Sequence, residues 1–198
     1  MKQVVLIALM AITSLSLSAQ SKIESSFGIK GGANFSRFEI KDADSDFNTL
    51  WHVGLLAHLH MSDKIAIQPE LVYSRTGGER NPSGIEYDDV NDYLTVPVLF
   101  QYMISNGFRI QAGPQVGFLL KARQTSEGTE TDTKEYYKKT DFGLAGGFSY
   151  LTKSGLGFDA RYVYGLTDIS NKETVTPGSN DHVKNRVIQV GLFYQFSK

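Results

Sequence analysis

Residues 188–196 read IQVGLFYQF, and their side chains alternate between two different sets. One face carries isoleucine, valine, leucine, tyrosine and phenylalanine, whereas the other carries two glutamines, a glycine and one phenylalanine. Successive side chains of a β-strand point to opposite faces, so this spacing predicts a strand whose two faces meet different environments.

The same alternation recurs in seven further segments, at residues 27–36, 51–61, 65–74, 93–102, 108–121, 141–150 and 156–165. Short stretches with turn chemistry (62–63, 105–107 and 153–155) alternate with long polar stretches (39–49, 77–91, 122–138 and 167–183). This order predicts an all-β fold, an eight-stranded antiparallel up-and-down barrel with the long loops at one end. Closing the ring removes exposed strand edges.

Length and composition narrow the class of protein. The 198 residues suit one domain, and the formal net charge of −1 argues against a nucleic-acid partner. Because the chain has no cysteine, disulfide scaffolds, thiolate zinc sites and cysteine nucleophiles are excluded.

The N-terminus predicts export. Lys2 precedes an apolar run at residues 4–12, and small residues follow up to Ala19. The run is too short to span a bilayer, which takes about 20 apolar residues. We therefore predict a signal peptide at residues 1–19, cleaved before Gln20, and a barrel domain at residues 20–198.

The composition of the two faces predicts which one meets lipid. The less apolar face holds many glycines and charges of both signs, which suit a narrow lumen where long side chains pair. The apolar face carries aromatic residues near strand ends, as in interfacial girdles. We predict a transmembrane barrel over the alternative of a soluble, lipocalin-like barrel. The predicted lumen charges are Lys30, Glu70, Arg109, Lys121, Asp141, Asp159 and Arg161.

Several segments resemble the PorT-like outer-membrane β-barrel family: FGIKGGANFS (27–36), IQPELVYSRTG (67–77), YLTVPVLFQY (93–102), AGPQVGFLL (112–120), ARYVYGLTDIS (160–170) and VGLFYQF (190–196). Thr95 departs from the acidic residue that relatives often carry there. The resemblance implies an eight-stranded barrel in the outer membrane of a Gram-negative bacterium. Some members are linked to a protein-secretion and gliding apparatus, so a secretion-complex partner is implied as an expectation.

The last strand also resembles the C-terminal signal that the barrel-assembly machinery reads. Gln189, Gly191, Tyr194 and Phe196 supply its polar residue, its glycine and its two aromatic residues. We expect that machinery to be a partner during biogenesis. The simpler alternative is a final amphipathic strand without a signal.

Few residues suggest a metal or cofactor site. His58 and His60 share a face at about 7 Å, and His52 lies on the same face, so we expect lumen hydrogen bonding rather than a metal site. Asp42, Asp44 and Asp46 imitate half of a calcium loop, but the later ligands are missing, so we expect a solvated acidic loop. No cofactor is predicted.

The sequence favours a non-enzymatic outer-membrane protein that acts through its long extracellular loops, with membrane lipid around it. A first alternative is a narrow pore for small solutes or ions. A second is a lipid-modifying or proteolytic enzyme, because Ser36, His52, Ser74 and Asp141 lie on lumen faces towards the long loops. Nothing in the spacing of these four residues singles them out.

Overall fold

The computed structural model describes residues 25–40, 43–81, 86–105, 107–171 and 182–196. The predicted signal peptide and Asp42 lie outside these residues. Ten described strands follow one another: β1 (Ser25–Ile40), β2 (Ala43–Asp44), β3 (Asn48–Ser62), β4 (Ile65–Arg80), β5 (Tyr87–Met103), β6 (Phe108–Ser126), β7 (Thr129–Asp132), β8 (Thr140–Leu151), β9 (Leu156–Gly165) and β10 (Val183–Phe196). A 3-10 turn spans Lys134–Tyr136. In the described part of the chain, no helix has the length and apolar character needed to cross a membrane.

Eight of these strands form a closed antiparallel ring in the order β1, β3, β4, β5, β6, β8, β9 and β10. The ring closes where β1 pairs with β10, from Phe27 opposite Phe196 to Ile40 opposite Val183. The short strand β2 pairs with the end of β1, and the short strand β7 pairs with the end of β6, so neither belongs to the ring. The predicted eight-stranded up-and-down barrel is therefore confirmed.

The barrel carries its apolar side chains on the outside. Leu192 is 60% exposed and Leu55 58% exposed, whereas the inward Gln189 is only 6% exposed. In water this arrangement would leave a large apolar surface uncovered. It suits a bilayer, where acyl chains cover the outer face and every backbone group is paired around the ring.

Glycine is required where β1 and β10 close the ring. Gly32 lies opposite Gly191, and a β-carbon on Gly32 would lie 2.1 Å from the Val190 backbone oxygen and 2.4 Å from the Gly191 α-carbon. Both obstacles are backbone atoms, so a larger side chain cannot be accommodated by a rotamer change. The inward glycines therefore permit close strand contact in a narrow barrel.

The strands extend further than the alternation predicts. Residues 77–80, 87–91 and 122–126 belong to β4, β5 and β6, and β7 folds back along β6. We call these three ends and β7 the sheet extension. The prediction of long polar loops over 77–91 and 122–138 is thus wrong in part. Polar side chains on both faces obscure the two-residue period there, although backbone pairing continues.

A β-bulge in β6 reverses the alternation near its end. Tyr93 pairs with Leu119 but Asp92 pairs with Lys121, so Leu120 is the extra residue. Beyond it, Ala122 is buried and Lys121 is exposed. The prediction that Lys121 faces the lumen is therefore wrong, because the bulge turns this side chain to the outer surface.

Candidate functional site

The centre of the barrel interior holds four charged side chains that contact one another. Arg161 on β9 donates two hydrogen bonds to Glu70 on β4, at 2.9 and 3.0 Å. Asp159 accepts from Arg161 at 2.9 and 3.1 Å and from Lys30 on β1 at 3.2 Å. Lys30 also donates to Glu70 at 3.4 Å, and Gln68 donates to Glu70 at 2.8 Å. We call Lys30, Glu70, Asp159 and Arg161 the central charge cluster.

This cluster is sealed from solvent and electrically balanced. Its four side chains are at most 3% exposed, and its two positive charges equal its two negative charges. Burying ions costs several kcal/mol each unless partners and hydrogen bonds compensate. The bidentate pair of Arg161 with Glu70 supplies that compensation, so the cluster fills the lumen without leaving an unpaired charge.

A layer of neutral polar side chains lies next to the cluster on the long-loop side. Asn34 Oδ1 lies 2.8 Å from His52 Nδ1 and accepts from Gln189 at 3.0 Å, while Asn34 Nδ2 donates to Ser74 at 2.9 Å. Ser36 instead accepts a backbone hydrogen bond, from the Gly77 amide at 2.8 Å. The histidine and Ser74 thus both bond to the Asn34 amide, and neither serine bonds to the histidine in the described contacts.

Asp141, the acid of the suggested enzyme alternative, lies elsewhere in the lumen. Its Oδ2 accepts from Asn185 at 2.8 Å, and it is half-buried at the start of β8. The structure does not join Asp141, His52 and a serine into a nucleophile–base–acid chain.

The layer on the short-turn side is also polar. Arg109 lies 3.5 Å from His58 Nδ1 and donates to Gln195 at 3.3 Å, and Gln101 donates to Gln111 at 2.8 Å. The rings of His58 and His60 meet edge to face with centroids 4.5 Å apart, closer than the predicted 7 Å. Among the described residues, no group of three histidine, cysteine or acidic side chains is arranged to hold a metal ion.

The predicted lumen charges therefore fall into three groups. Lys30, Glu70, Arg109, Asp159 and Arg161 are buried inside the barrel, Asp141 is half-buried at one end, and Lys121 is outside.

Apolar lumen contacts and Asn34 were not singled out in the sequence. Leu99, Ala145, Val163 and Val187 form a small apolar cluster inside the barrel. The signal that could have predicted them is their position on the inward face of the alternating segments.

The long-loop end of the barrel is held by further polar contacts. In the sheet extension, Asp89 accepts from Arg80 and Gln124, each at 2.9 Å. Asp168, in the connection after β9, accepts from the Val183 amide at 3.0 Å and the Ser170 amide at 3.1 Å. Partial burial alone raises the pKa of the Asp168 carboxyl, but these two hydrogen bonds, together with one from His182 and the charge of Lys138, outweigh it and lower that pKa below its ordinary value.

The residues of the proposed assembly signal occupy both faces of β10. Gln189 and Gly191 face the lumen, whereas Tyr194 and Phe196 face outwards at 41% and 48% exposure. The two rings pack edge to face with centroids 5.3 Å apart. The arrangement places an aromatic pair on the lipid-facing surface beside the seam of the ring; its role in assembly stays a prediction.

Comparison with known proteins agrees with this architecture. The attachment invasion locus protein Ail of Yersinia pestis has a similar structure, with 18% identity and a TM-score of 0.53 over 87% of this chain and 99% of that chain. Neisserial surface protein A gives 12% identity and a TM-score of 0.58 over the same shares. These similarities show the fold alone, and no curated protein sequence matches the chain. The family model for the outer membrane protein beta-barrel domain matches residues 18–171, and the chain therefore belongs to that family.

Proposed function

We propose that this outer-membrane barrel is non-enzymatic and non-conducting, and that it acts as a structural or interaction protein through its extracellular end. The observation that carries this proposal is the central charge cluster. Glu70 and Arg161 belong to β4 and β9, which lie four strands apart whichever way the ring is followed. Their direct contact spans the lumen from wall to wall.

A pore needs a continuous water path, and the described lumen side chains oppose one. The charge cluster lies between the Asn34 layer and the Arg109 layer, and the side chains of all three layers are buried. Eight strands leave an interior just wide enough for side chains. The lumen therefore stabilises the barrel, and interactions with other molecules fall to the extracellular end.

Recording from the purified barrel in planar bilayers tests the closed lumen. The wild-type chain should show no steady conductance. The double variant Arg161→Ser with Lys30→Ser should raise the conductance, because it removes both cations of the central charge cluster. Lys64→Ser with Lys153→Ser, at the exposed short turns, is the control and should stay closed. Steady wild-type conductance would establish the narrow-pore alternative instead.

The sheet extension supports an interaction role. It projects β4, β5, β6 and β7 beyond the shorter β8, which pairs with β6, and beyond β9, which lies across the ring from β4. The edge strand β7 has only four residues, all exposed, and two are acidic, which discourages non-specific edge pairing. A partner would therefore meet the side chains of the extension.

A link to a secretion apparatus rests on the PorT-like resemblance and is part of this proposal. Crosslinking in the native envelope followed by pull-down of the barrel tests it. Recovery of secretion components with the wild-type barrel, and their loss when residues 81–86 and 127–128 are replaced by glycine–serine, supports the link. Recovery of the barrel alone contradicts it. Replacing His52 and Asp141 without a phenotype would count against the enzyme alternative.

A further inference from the structure

Arg109 on β6 is a buried cation that has no charged partner. Its side chain lies inside the barrel, on the short-turn side of the central charge cluster, and the residue is 5% exposed. The guanidinium lies 3.5 Å from His58 Nδ1 and donates to Gln195 Oε1 at 3.3 Å. Neither of these acceptor atoms carries a negative charge. Among the described residues, no carboxylate lies within the 4.0 Å of an ion pair with Arg109.

The acids elsewhere in the lumen do not balance this charge. Glu70 and Asp159 are matched by the two cations of the central charge cluster. Asp159 is two strands from Arg109, and Ser149 on β8 is the register partner of both. Asp141 is eight residues from Ser149 along β8, which corresponds to about 26 Å. The short-turn half of the lumen therefore carries an excess positive charge, which is strongly unfavourable when it is buried without compensation.

Two amide groups next to Arg109 hold hydrogen-bond donors that the described contacts leave unused. Gln195 turns its Oε1 towards Arg109, and its buried Nε2 has no acceptor among the described residues. Gln111, two residues along β6, accepts from Gln101 through its Oε1, and its buried Nε2 has no described acceptor either. Arg109 itself uses only two of its five N–H groups in the described contacts.

The other unpaired polar atoms of this region form matching donor and acceptor pairs. His58 Nδ1 faces a guanidinium N–H, so the ring proton is on Nε2. Gln101, whose Oε1 is unpaired, is a hydrogen-bonding neighbour of this ring. The unpaired hydroxyl of Ser149 and the unpaired Oδ1 of Asp159 belong to register partners on β8 and β9. The groups left over around Arg109 are then N–H groups, which need an acceptor.

We propose that the short-turn half of the lumen binds one small monovalent anion, of the size of chloride, against the Arg109 guanidinium. The unused N–H groups of Arg109 and the Nε2 groups of Gln111 and Gln195 donate to it, and its charge balances the guanidinium. A monatomic anion suits the site, because it accepts hydrogen bonds from several directions and because eight strands leave little room beyond the side chains.

The position of the site allows an anion to enter from the periplasm. The short turns of such barrels are periplasmic, and Arg109 is the second residue of β6 after one of them, so the ion does not cross the central charge cluster. Among the described residues of the short turns, the exposed Lys64 and Lys153 outnumber the one acid, Asp63. This site is independent of how the extracellular end of the barrel acts.

Anomalous diffraction locates the anion in crystals of the detergent-solubilised folded barrel grown with sodium bromide, because bromide replaces chloride and scatters anomalously. We expect one bromide peak beside the guanidinium in the wild type and none there in Arg109→Met. Lys64→Met removes an exposed cation at the same end, so it is the matched control and should keep the peak. Wild-type crystals without this peak would overturn the proposal.

Stability at constant ionic strength tests the same site without crystals. An anion that binds only the folded barrel raises the urea midpoint as its concentration increases. When chloride replaces gluconate, the wild type and Lys64→Met should shift by about 0.7 M for each tenfold increase above the dissociation constant. Arg109→Met should not shift. A wild-type midpoint that does not respond to chloride would contradict the proposal.

Gln195→Glu supplies the missing negative charge as part of the chain. The substitution keeps the shape of a side chain that already contacts Arg109 at 3.3 Å, so the new carboxylate pairs with the guanidinium. In gluconate this variant should have a higher urea midpoint than the wild type, and it should lose both the response to chloride and the bromide peak. A chloride response that persists in Gln195→Glu and in Arg109→Met would place the anion elsewhere and refute the assignment to Arg109.

Discussion

Replacing Glu70 by glutamine is the most direct test of the central charge cluster. The substitution keeps the shape of the side chain but removes its charge, so a balanced group becomes one with an excess positive charge. Arg161 loses its charged acceptor on β4, and Lys30 keeps only Asp159. Removing one partner of a buried ion pair costs about 3–5 kcal/mol, and the complete burial of Glu70 places it within this range.

Urea titration of the barrel folded in lipid vesicles measures this cost. Folded and unfolded barrels are separated by their different mobility in unheated detergent gels, which gives the folded fraction at each urea concentration. For a slope of about 2 kcal/mol per molar, a loss of about 4 kcal/mol lowers the midpoint by about 2 M.

Two variants decide whether charge imbalance is the cause. Glu79→Gln makes the same change at an exposed position of the same strand and should alter stability by less than about 0.5 kcal/mol. Glu70→Gln combined with Lys30→Met leaves Arg161 with Asp159 and restores neutrality, so it should recover part of the lost stability. If Glu70→Gln costs no more than Glu79→Gln, or if the second substitution adds to the loss, the reasoning is refuted.

Three further changes test other parts of the barrel. Gly32→Val should cost about 3 kcal/mol, because its β-carbon would lie 2.1 Å from a backbone oxygen of β10; at Gly146 nothing lies within 4 Å, so Gly146→Val should be tolerated. Tyr194→Asp with Phe196→Asp should abolish assembly, seen as loss of folded barrel from outer-membrane fractions. Asp168→Asn should speed trypsin cleavage of the 166–184 connection, because two amides lose a charged acceptor.

The Asp168 contacts also carry a pH dependence. Because their hydrogen bonds lower the pKa of this carboxyl below its ordinary value of 3.8, they contribute fully above about pH 4 and are lost as the pH falls through the folded pKa. Relative to an unstructured reference peptide, which corrects for the pH dependence of pepsin itself, cleavage of this connection in the wild-type barrel should therefore become faster as the pH falls, and the Asp168→Asn barrel should show a constant ratio to the peptide.

The assembly prediction has its own contradicting outcome. Wild-type levels of folded barrel in the variant Tyr194→Asp with Phe196→Asp would refute the assembly signal.

The alternation predicted the ring because lipid outside and a packed lumen inside impose strict, opposite demands on neighbouring residues. It failed at Lys121, because a bulge inserts one extra residue into the strand and reverses the faces beyond it, and no feature of the local sequence indicates the bulge. It also ended the strands too early at Gly77 and Ala122, where polar side chains lie on both faces and the period disappears. The contact of Glu70 with Arg161 was beyond reach, because a face assignment does not say which inward side chains meet across the lumen.

The origin of the four central charges constrains how the protein enters the membrane. Lys30 has a counter-ion in Glu70 on β4, and Asp159 has one in Arg161 on its own strand. The contacts of Lys30 with Asp159 and of Glu70 with Arg161 join residues 129 and 91 positions apart, so they form only when the first and last parts of the barrel come together. A half-inserted polypeptide would expose an ion pair that lacks its partners from the other half, a state with a high free energy in hydrocarbon. Closing the ring between β1 and β10 and completing the contacts among these charges are then a single event. This favours complete barrels over partly inserted ones and makes later extraction of any one hairpin slow.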